Sequence, residues 1–325
     1  MALNSSYCHD WPDNVNNCNI VRIARLCAAS LSLLGCVFVI FIIVLFKKYR
    51  FFSQRLVLWL SVAALMDTIA YIIGEPHQVK NGACIFEGFW MMLFDWSVLL
   101  WVSCITFNLF WNVVKRHQTN KLEGVYHVIS WGIAFVIACL PLSDGIVYGP
   151  AGLWCWIHYG ENAWRFGIWY IPLFILIGIM IITYTYVIFV INKRTTTWGG
   201  TMGAHTVEEE RSMVQLKQDV KQLRLYPLAY FVANLFPLVN RIQNAASSGT
   251  HDNPIFTLAL LHALTAPLQG LLNAVAYAFD KETRSKLTWM HIKSAVMQLC
   301  KQSVVKEYPL LDEREGLVRH DDSDG

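Results

Sequence analysis

Several side chains able to carry charge lie inside long apolar stretches of this chain. Asp67 falls midway along LWLSVAALMDTIAYIIG, Arg241 within FPLVNRIQN and His262 within LALLHALTAP, while Glu87 and Asp95 stand eight residues apart in the run opening at Cys84. An ionisable group in a bilayer-like setting turns toward a bundle interior or an aqueous cavity and usually marks function. For Asp67 two readings stand. One is a polar switch that binds a cation or changes protonation as helices rearrange; the other is a structural carboxylate hydrogen-bonded to Asn, Ser or Trp neighbours. Glu87 and Asp95, about 80° apart around a helix, either face a ligand cavity or pair with basic groups. Arg22, Arg25, Arg165, Arg241 and His262 are the basic candidates. Guanidinium forks bind phosphate and carboxylate well, so Arg165, Arg241 and His262 together would suit a small anionic ligand. The alternative is that these arginines snorkel to headgroups or pair with Asp95 or Glu87.

The elements that must position these groups follow from composition. The chain has 325 residues, 55% of them hydrophobic and only 15% charged, against about 25% charged in an ordinary soluble domain. Leu26 to Phe46 carries no charged residue, and about 20 apolar residues cross a hydrocarbon core as a helix. Seven such segments can be read: Ile20 to Phe46, Leu56 to Gly74, Cys84 to Val114, Val125 to Leu142, Phe166 to Asn192, Leu223 to Ala246 and Pro254 to Phe279. The sixth is interrupted by Pro227, Asn234, Pro237, Asn240 and Arg241. Backbone amides in lipid must bond within their own segment, so helices are expected, with Pro172, Pro227, Pro237 and Pro267 as tolerated kinks. The fold class is an all-α membrane protein, a seven-helix bundle over residues 20–279.

Loop charge sets the expected orientation. Lys47, Lys48, Arg50 and Arg55, then Lys115, Arg116 and Lys121, then Lys193, Arg194, Arg211, Lys217, Lys221 and Arg224 follow the odd-numbered segments. The opposite loops hold little beyond Lys80 and Arg165. The positive-inside bias places the amino terminus outside and the carboxyl terminus in the cytosol. Residues 1–19 form a short outer tail without a basic start and apolar run, so no secretory signal is expected, and Asn4 opens a glycosylation sequon. Residues 280–303 are amphipathic, with Leu287, Ile292, Val296 and Leu299 near helical spacing among lysines and arginines. This suits an eighth helix on the inner membrane face, at whose end Cys300 is a palmitoylation candidate. Residues 304–325 read as a disordered cytoplasmic tail, with Tyr308 to Leu311 in the form of an internalisation signal.

Cys84 opens the third segment and Cys155 sits in the loop before the fifth, both on the outer side. They are natural disulfide partners on an oxidising face, with two unpaired thiols as the alternative; no second Cys or His lies at zinc-knuckle spacing. Cys8 and Cys18 are a further outer pair that either bonds or does not. Cys27, Cys36, Cys104 and Cys139 read as packing residues.

Together, WCWI (Trp154 to Ile157) followed by Arg165-Phe166-Gly167, Cys84 to Gly88, Lys115-Arg116, Ser130-Trp131-Gly132, FPLVNRIQN and LHALTAPLQGLLNAVAYAF carry a resemblance. The chain resembles the cyclic-AMP receptor-like (class E) family of seven-helix G-protein-coupled receptors, including its animal relatives, over about residues 20 to 290. Gln269-Gly270 is similar to the seventh-helix pattern of secretin and adhesion receptors, but a tail of about 19 residues holds no hormone-binding or cleavage domain. The third segment ends FNLFWNVVKR, without the Asp/Glu-Arg-Tyr of rhodopsin-like receptors, and the seventh lacks Asn-Pro-x-x-Tyr. The resemblance implies a plasma-membrane receptor whose partners are an unknown extracellular ligand, membrane lipids and a heterotrimeric G protein, the last contacting Lys115 and Arg116. No nucleic acid, cofactor, metal or enzymatic activity is expected. Seven-helix hydrolases need a His/Asp/Glu metal cluster, whereas only His127 and His262 fall in apolar segments, and a retinal Schiff base needs a lysine that Pro254 to Phe279 lacks. The competing functions are a transporter, for which internal repeats are the usual sign, and a ligand-independent membrane scaffold.

Overall fold

A computed structural model describes residues 15–74, 82–115, 119–143, 145, 147–151, 154–158, 161–197, 223–246, 255–279, 283–284, 288 and 290–297. Its helices are α1 (Val15–Leu45), α2 (Phe52–Ile73), α3 (Gly82–Lys115), α4 (Asn120–Ser143), α5 (162–197), α6 (Leu225–Ala246) and α7 (Phe256–Ala278). Six of these, all but α6, are long and apolar enough to cross a membrane. The chain is a multi-pass helical membrane bundle.

The seven-span expectation meets its one shortfall at α6, whose apolar stretch is only Leu225–Asn240. The reason lies in its two faces. Leu228, Val232, Leu235, Val239 and Ile242 recur at helical spacing and are all exposed, while Tyr230, Ala233 and Asn240 are buried. The exposed stripe is apolar, whereas Asn240 is buried and Asn234 half-buried, so these polar residues lower the average without facing lipid.

Helix α3 is the hub: 72% of its apolar window is buried, against 22% for α5. Two irregularities let helices pass prolines. A π turn at Phe166–Tyr170 precedes Pro172 in α5, and a 3-10 turn at Ala266–Leu268 holds Pro267 in α7. Each relieves the proline's missing N–H and ring clash where a regular helix would be interrupted. A π turn also occupies Val128–Ile133 in α4. Helices α1 and α7 touch backbone to backbone: a Cβ on Gly270 would lie 2.2 Å from Cys36 Sγ, and one on Gly35 2.8 Å from Gly270 O. Ser32 Oγ accepts from the Gly270 N–H at 2.9 Å, closing that contact with a hydrogen bond.

One end of the bundle carries a two-stranded antiparallel hairpin, β1 (Tyr148–Pro150) and β2 (Cys155–Ile157), with Gly149 opposite Trp156. The stretch after α7 was expected to form a helix over 280–303; within it, residues 290–297 are helical, with Ile292 half-buried and Met290 and Met297 exposed. Asn4, Cys8, Arg116, Cys300, Tyr308 and the 304–325 tail lie outside the described residues, as does the side chain of Arg241.

Candidate functional site

The hairpin is fastened to the bundle by contacts of several kinds. Cys155 is bonded to Cys84 at the start of α3, across a sequence separation of 71 residues. One turn on, Gly88 leaves room for the hairpin, since a Cβ there would come 2.9 Å from the Tyr148 ring. This explains the spacing of Cys84 and Gly88: the first ties the hairpin down and the second lets it lie flat. The Tyr148 hydroxyl donates to Ala138 O of α4 at 2.8 Å, and burial pushes its phenol above the usual tyrosine range. Cys18, in α1, is also disulfide-bonded, and its partner lies outside the described residues.

Three of the charged candidates serve this frame. Arg165 is buried, and its Nη2 and Nε both donate to Ile157 O, at 2.6 and 3.2 Å. Its guanidinium lies 5.5 Å from the Trp156 ring centre. Glu87 accepts from the Cys155 N–H at 3.1 Å and lies against Gly74, where a Cβ would approach its Oε1 to 2.5 Å. Arg25 also reaches Gly74, donating to its carbonyl. Glu87 and Arg25 thus converge on the end of α2, and Arg165 on the outgoing strand.

Beneath the hairpin is a cavity of about 50 Å³, walled by Tyr71 of α2, Met91 and Asp95 of α3, Trp154 and Trp156, Trp169 and Leu173 of α5, Asn234 and Pro237 of α6 and His262 of α7. Five helices and the hairpin meet there. The rings are mutually packed: Trp154 lies edge-on to His262 at 5.3 Å and to Tyr71 at 6.5 Å, and Trp156 edge-on to Trp169 at 6.0 Å. His262 Nδ1 is 2.8 Å from Asn240 Nδ2.

Of the five residues expected around a pocket, Asp95 and His262 line this cavity, and Arg165 and Glu87 do not. Asp67 lies deeper in α2, almost fully buried, within hydrogen-bonding reach of the Asp95 carboxyl; Tyr230 of α6 sits close to both. The neighbours expected for Asp67 were Asn, Ser or Trp, so the carboxyl–carboxyl pairing is a new feature. Tyr71 and Trp169 were not singled out from the sequence. Their signal was weak, because aromatic residues in apolar runs are ordinarily core.

The opposite end has its own polar frame. Arg55 makes a bidentate ion pair with Glu123, both bonds 2.6 Å, joining α2 to α4. Lys48, counted by sequence among the loop charges, is instead buried: its Nζ donates to Thr283 Oγ1 at 2.8 Å and lies 5.4 Å from the Tyr277 ring. The Tyr277 hydroxyl donates to Gln54 Oε1 at 3.1 Å. Lys115 is the last residue of α3 and exposed.

Comparison with known proteins bears on this arrangement. The profile of the slime mold cyclic AMP receptor family matches residues 13–307. The chain is 31% identical to G-protein coupled receptor 1 of Arabidopsis thaliana, over 82% of this chain and 80% of that protein. It is 26% identical to cyclic AMP receptor-like protein A of Dictyostelium discoideum, over 78% of this chain and 63% of that one. Human G-protein coupled receptor 157 is 23% identical, over 82% of each chain.

Proposed function

This chain belongs to the slime mold cyclic AMP receptor family, and on that premise we propose that it is a G-protein-coupled receptor with its ligand cavity at the hairpin end. The observation that carries the reading is the cavity itself. Side chains from α2, α3, α5, α6 and α7 converge under a hairpin tied by Cys84–Cys155. A ligand there touches five helices at once and so can favour one bundle arrangement over another through differential affinity. The positive-inside pattern supports an extracellular hairpin end and a cytosolic Arg55 end in the plasma membrane. Lys115 and the Arg55–Glu123 and Lys48 contacts then mark the end at which a heterotrimeric G protein binds, with Arg116 next in sequence as a further candidate contact. Asp67, paired with Asp95 directly below the cavity, is the residue through which ligand contact reaches the middle of the bundle. A binding role, not catalysis, fits the same features.

The test is recruitment of G-protein probes to the full-length chain in cells, with and without stimulation. Engagement of at least one G-protein subtype is the expected result. Failure of all subtypes, with solute accumulation in vesicles containing the chain, would replace the receptor reading with a transporter.

A further inference from the structure

The outer flank of α3, between α2 and α4, plays no part in the receptor reading and carries chemistry of its own. Aromatic rings run along it in unbroken contact. Phe86 touches Trp90 at 5.4 Å, Trp90 touches Phe94 at 4.8 Å, and Phe94 lies 6.3 Å from Trp131 of α4. The chain continues through buried Trp101 to His127, 5.1 Å apart, and ends on Trp59 of α2, 4.9 Å from His127. Phe86 is exposed, and Trp90, Phe94, Trp131 and Trp59 are half-exposed. At the Arg55 end α2 meets α4 directly, since Phe52 stacks on Tyr126, Arg55 pairs with Glu123 and Trp59 lies edge-on to His127. Toward the hairpin end each packs on α3 instead, through Trp90 Nε1 on Met66 O and through Phe89 on Phe135. The flank is thus a shallow groove floored by α3 and closed at the Arg55 end.

That closed end is polar. The Trp131 indole, which can only donate, gives its N–H to His127 Nδ1 at 3.2 Å. Nδ1 therefore accepts, and the ring proton sits on Nε2. Nε2 has no acceptor among the described residues and is not enclosed by them. His127 lies one helical turn, about 6 Å, past Glu123, inside the boundary that the part-exposed Arg55–Glu123 pair marks. An unmet N–H at that depth is costly in hydrocarbon, so it calls for an acceptor that lipid carries.

We propose that the α2–α3–α4 groove binds a sterol, whose hydroxyl oxygen accepts from His127 Nε2 and whose ring face lies along Trp59, Trp131, Phe94 and Trp90. A flexible acyl chain laid on these rings would lose its torsional freedom, whereas a rigid fused-ring lipid has little to lose. Phe94 to Trp101 spans about 10 Å of helix, the scale of a fused four-ring system. The single hydroxyl then sits at the Arg55 end, next to the polar boundary.

Photolabelling of the full-length protein in phosphatidylcholine nanodiscs tests this, with a cholesterol analogue carrying a diazirine on its ring system as the probe. Label is expected on α2, α3 and α4 around Trp59, Phe94 and Trp131, and cholesterol should displace it. Cholestane keeps the rings and lacks the hydroxyl, so it should need about a 5-fold higher fraction for the same displacement, the worth of one hydrogen bond. His127→Phe retains a ring and loses the donor, so in that variant the two compounds should displace the label equally. A merely structural histidine would leave the preference for cholesterol unchanged. Should His127→Phe not fold, the position of the label and the preference in the native chain decide. Label spread as strongly over the exposed faces of α1 and α5, equal displacement by the two compounds in the native chain, or an undiminished preference in the variant overturns the proposal.

Discussion

Arg165 shows how one residue can be chemically apt for a ligand and still be committed to structure. Its two N–H groups on Ile157 O satisfy a buried carbonyl at the end of β2, where an unpaired polar group would cost about 1–3 kcal/mol. Arg165→Lys keeps the charge but has no planar fork to hold that carbonyl twice. It should lower the unfolding free energy by about 1–2 kcal/mol, read as a reduced Tm in detergent. If the arginine served only a ligand, Tm would be unchanged. Glu87 tells the same story from the acid side, since its carboxylate receives the N–H of the disulfide-bonded Cys155. Sequence alone could list the charged residues buried in apolar runs. Which of them face a cavity depends on side-chain direction and on competing backbone carbonyls, neither of which a helical spacing reveals.

At the scale of elements, the closest contact is between α1 and α7. Gly270 has no room for a side chain, because Cys36 Sγ and the Ser32 hydroxyl and carbonyl would all crowd an added Cβ. Without an aqueous solvent to drive helices together, such association relies on close backbone approach and interhelical hydrogen bonds, both of which Gly270 provides. Gly270→Ala should therefore push α7 off α1, costing about 1–3 kcal/mol by overpacking. The measurement is thermal stability with surface expression; an unchanged Tm would show that the helices can part at no cost. The pair Gln269-Gly270 was readable as similar to the seventh-helix pattern of secretin and adhesion receptors. Its meaning as a contact with Ser32 and Cys36 needed both helices in place. Helix α6 makes a similar point: Asn234, Pro237 and Asn240 looked like interruptions, and they are buried or half-buried on a helix whose exposed stripe, Leu228, Val232, Leu235, Val239 and Ile242, is apolar.

For the whole molecule, the question is how the two ends communicate. The cavity at the hairpin end touches α2, α3, α5, α6 and α7, and its wall residue Asp95 lies within hydrogen-bonding reach of Asp67. At the far end, Lys48 and Gln54, with Tyr277 and Thr283, join α7 and the following chain to the α1–α2 connection and the start of α2. A rearrangement that frees α7 at this end must break the Tyr277–Gln54 hydrogen bond. Tyr277→Phe removes that bond and keeps the ring beside Lys48. Losing about 1 kcal/mol from one state shifts a two-state balance about 5-fold, so basal G-protein probe recruitment should rise by roughly that factor. Unchanged recruitment at equal expression would mean the bond persists in both states. The membrane class, the helical segments, the loop charge asymmetry and the family resemblance were all determined by the sequence by itself, because hydropathy over about 20 residues and short motifs are local properties. The tertiary structure alone decided that Arg165 holds a strand, that Lys48 is buried, that Asp67 meets Asp95, and that four aromatic rings from three elements share one cavity. Those facts depend on which faces of distant segments meet, and only the packed bundle specifies that.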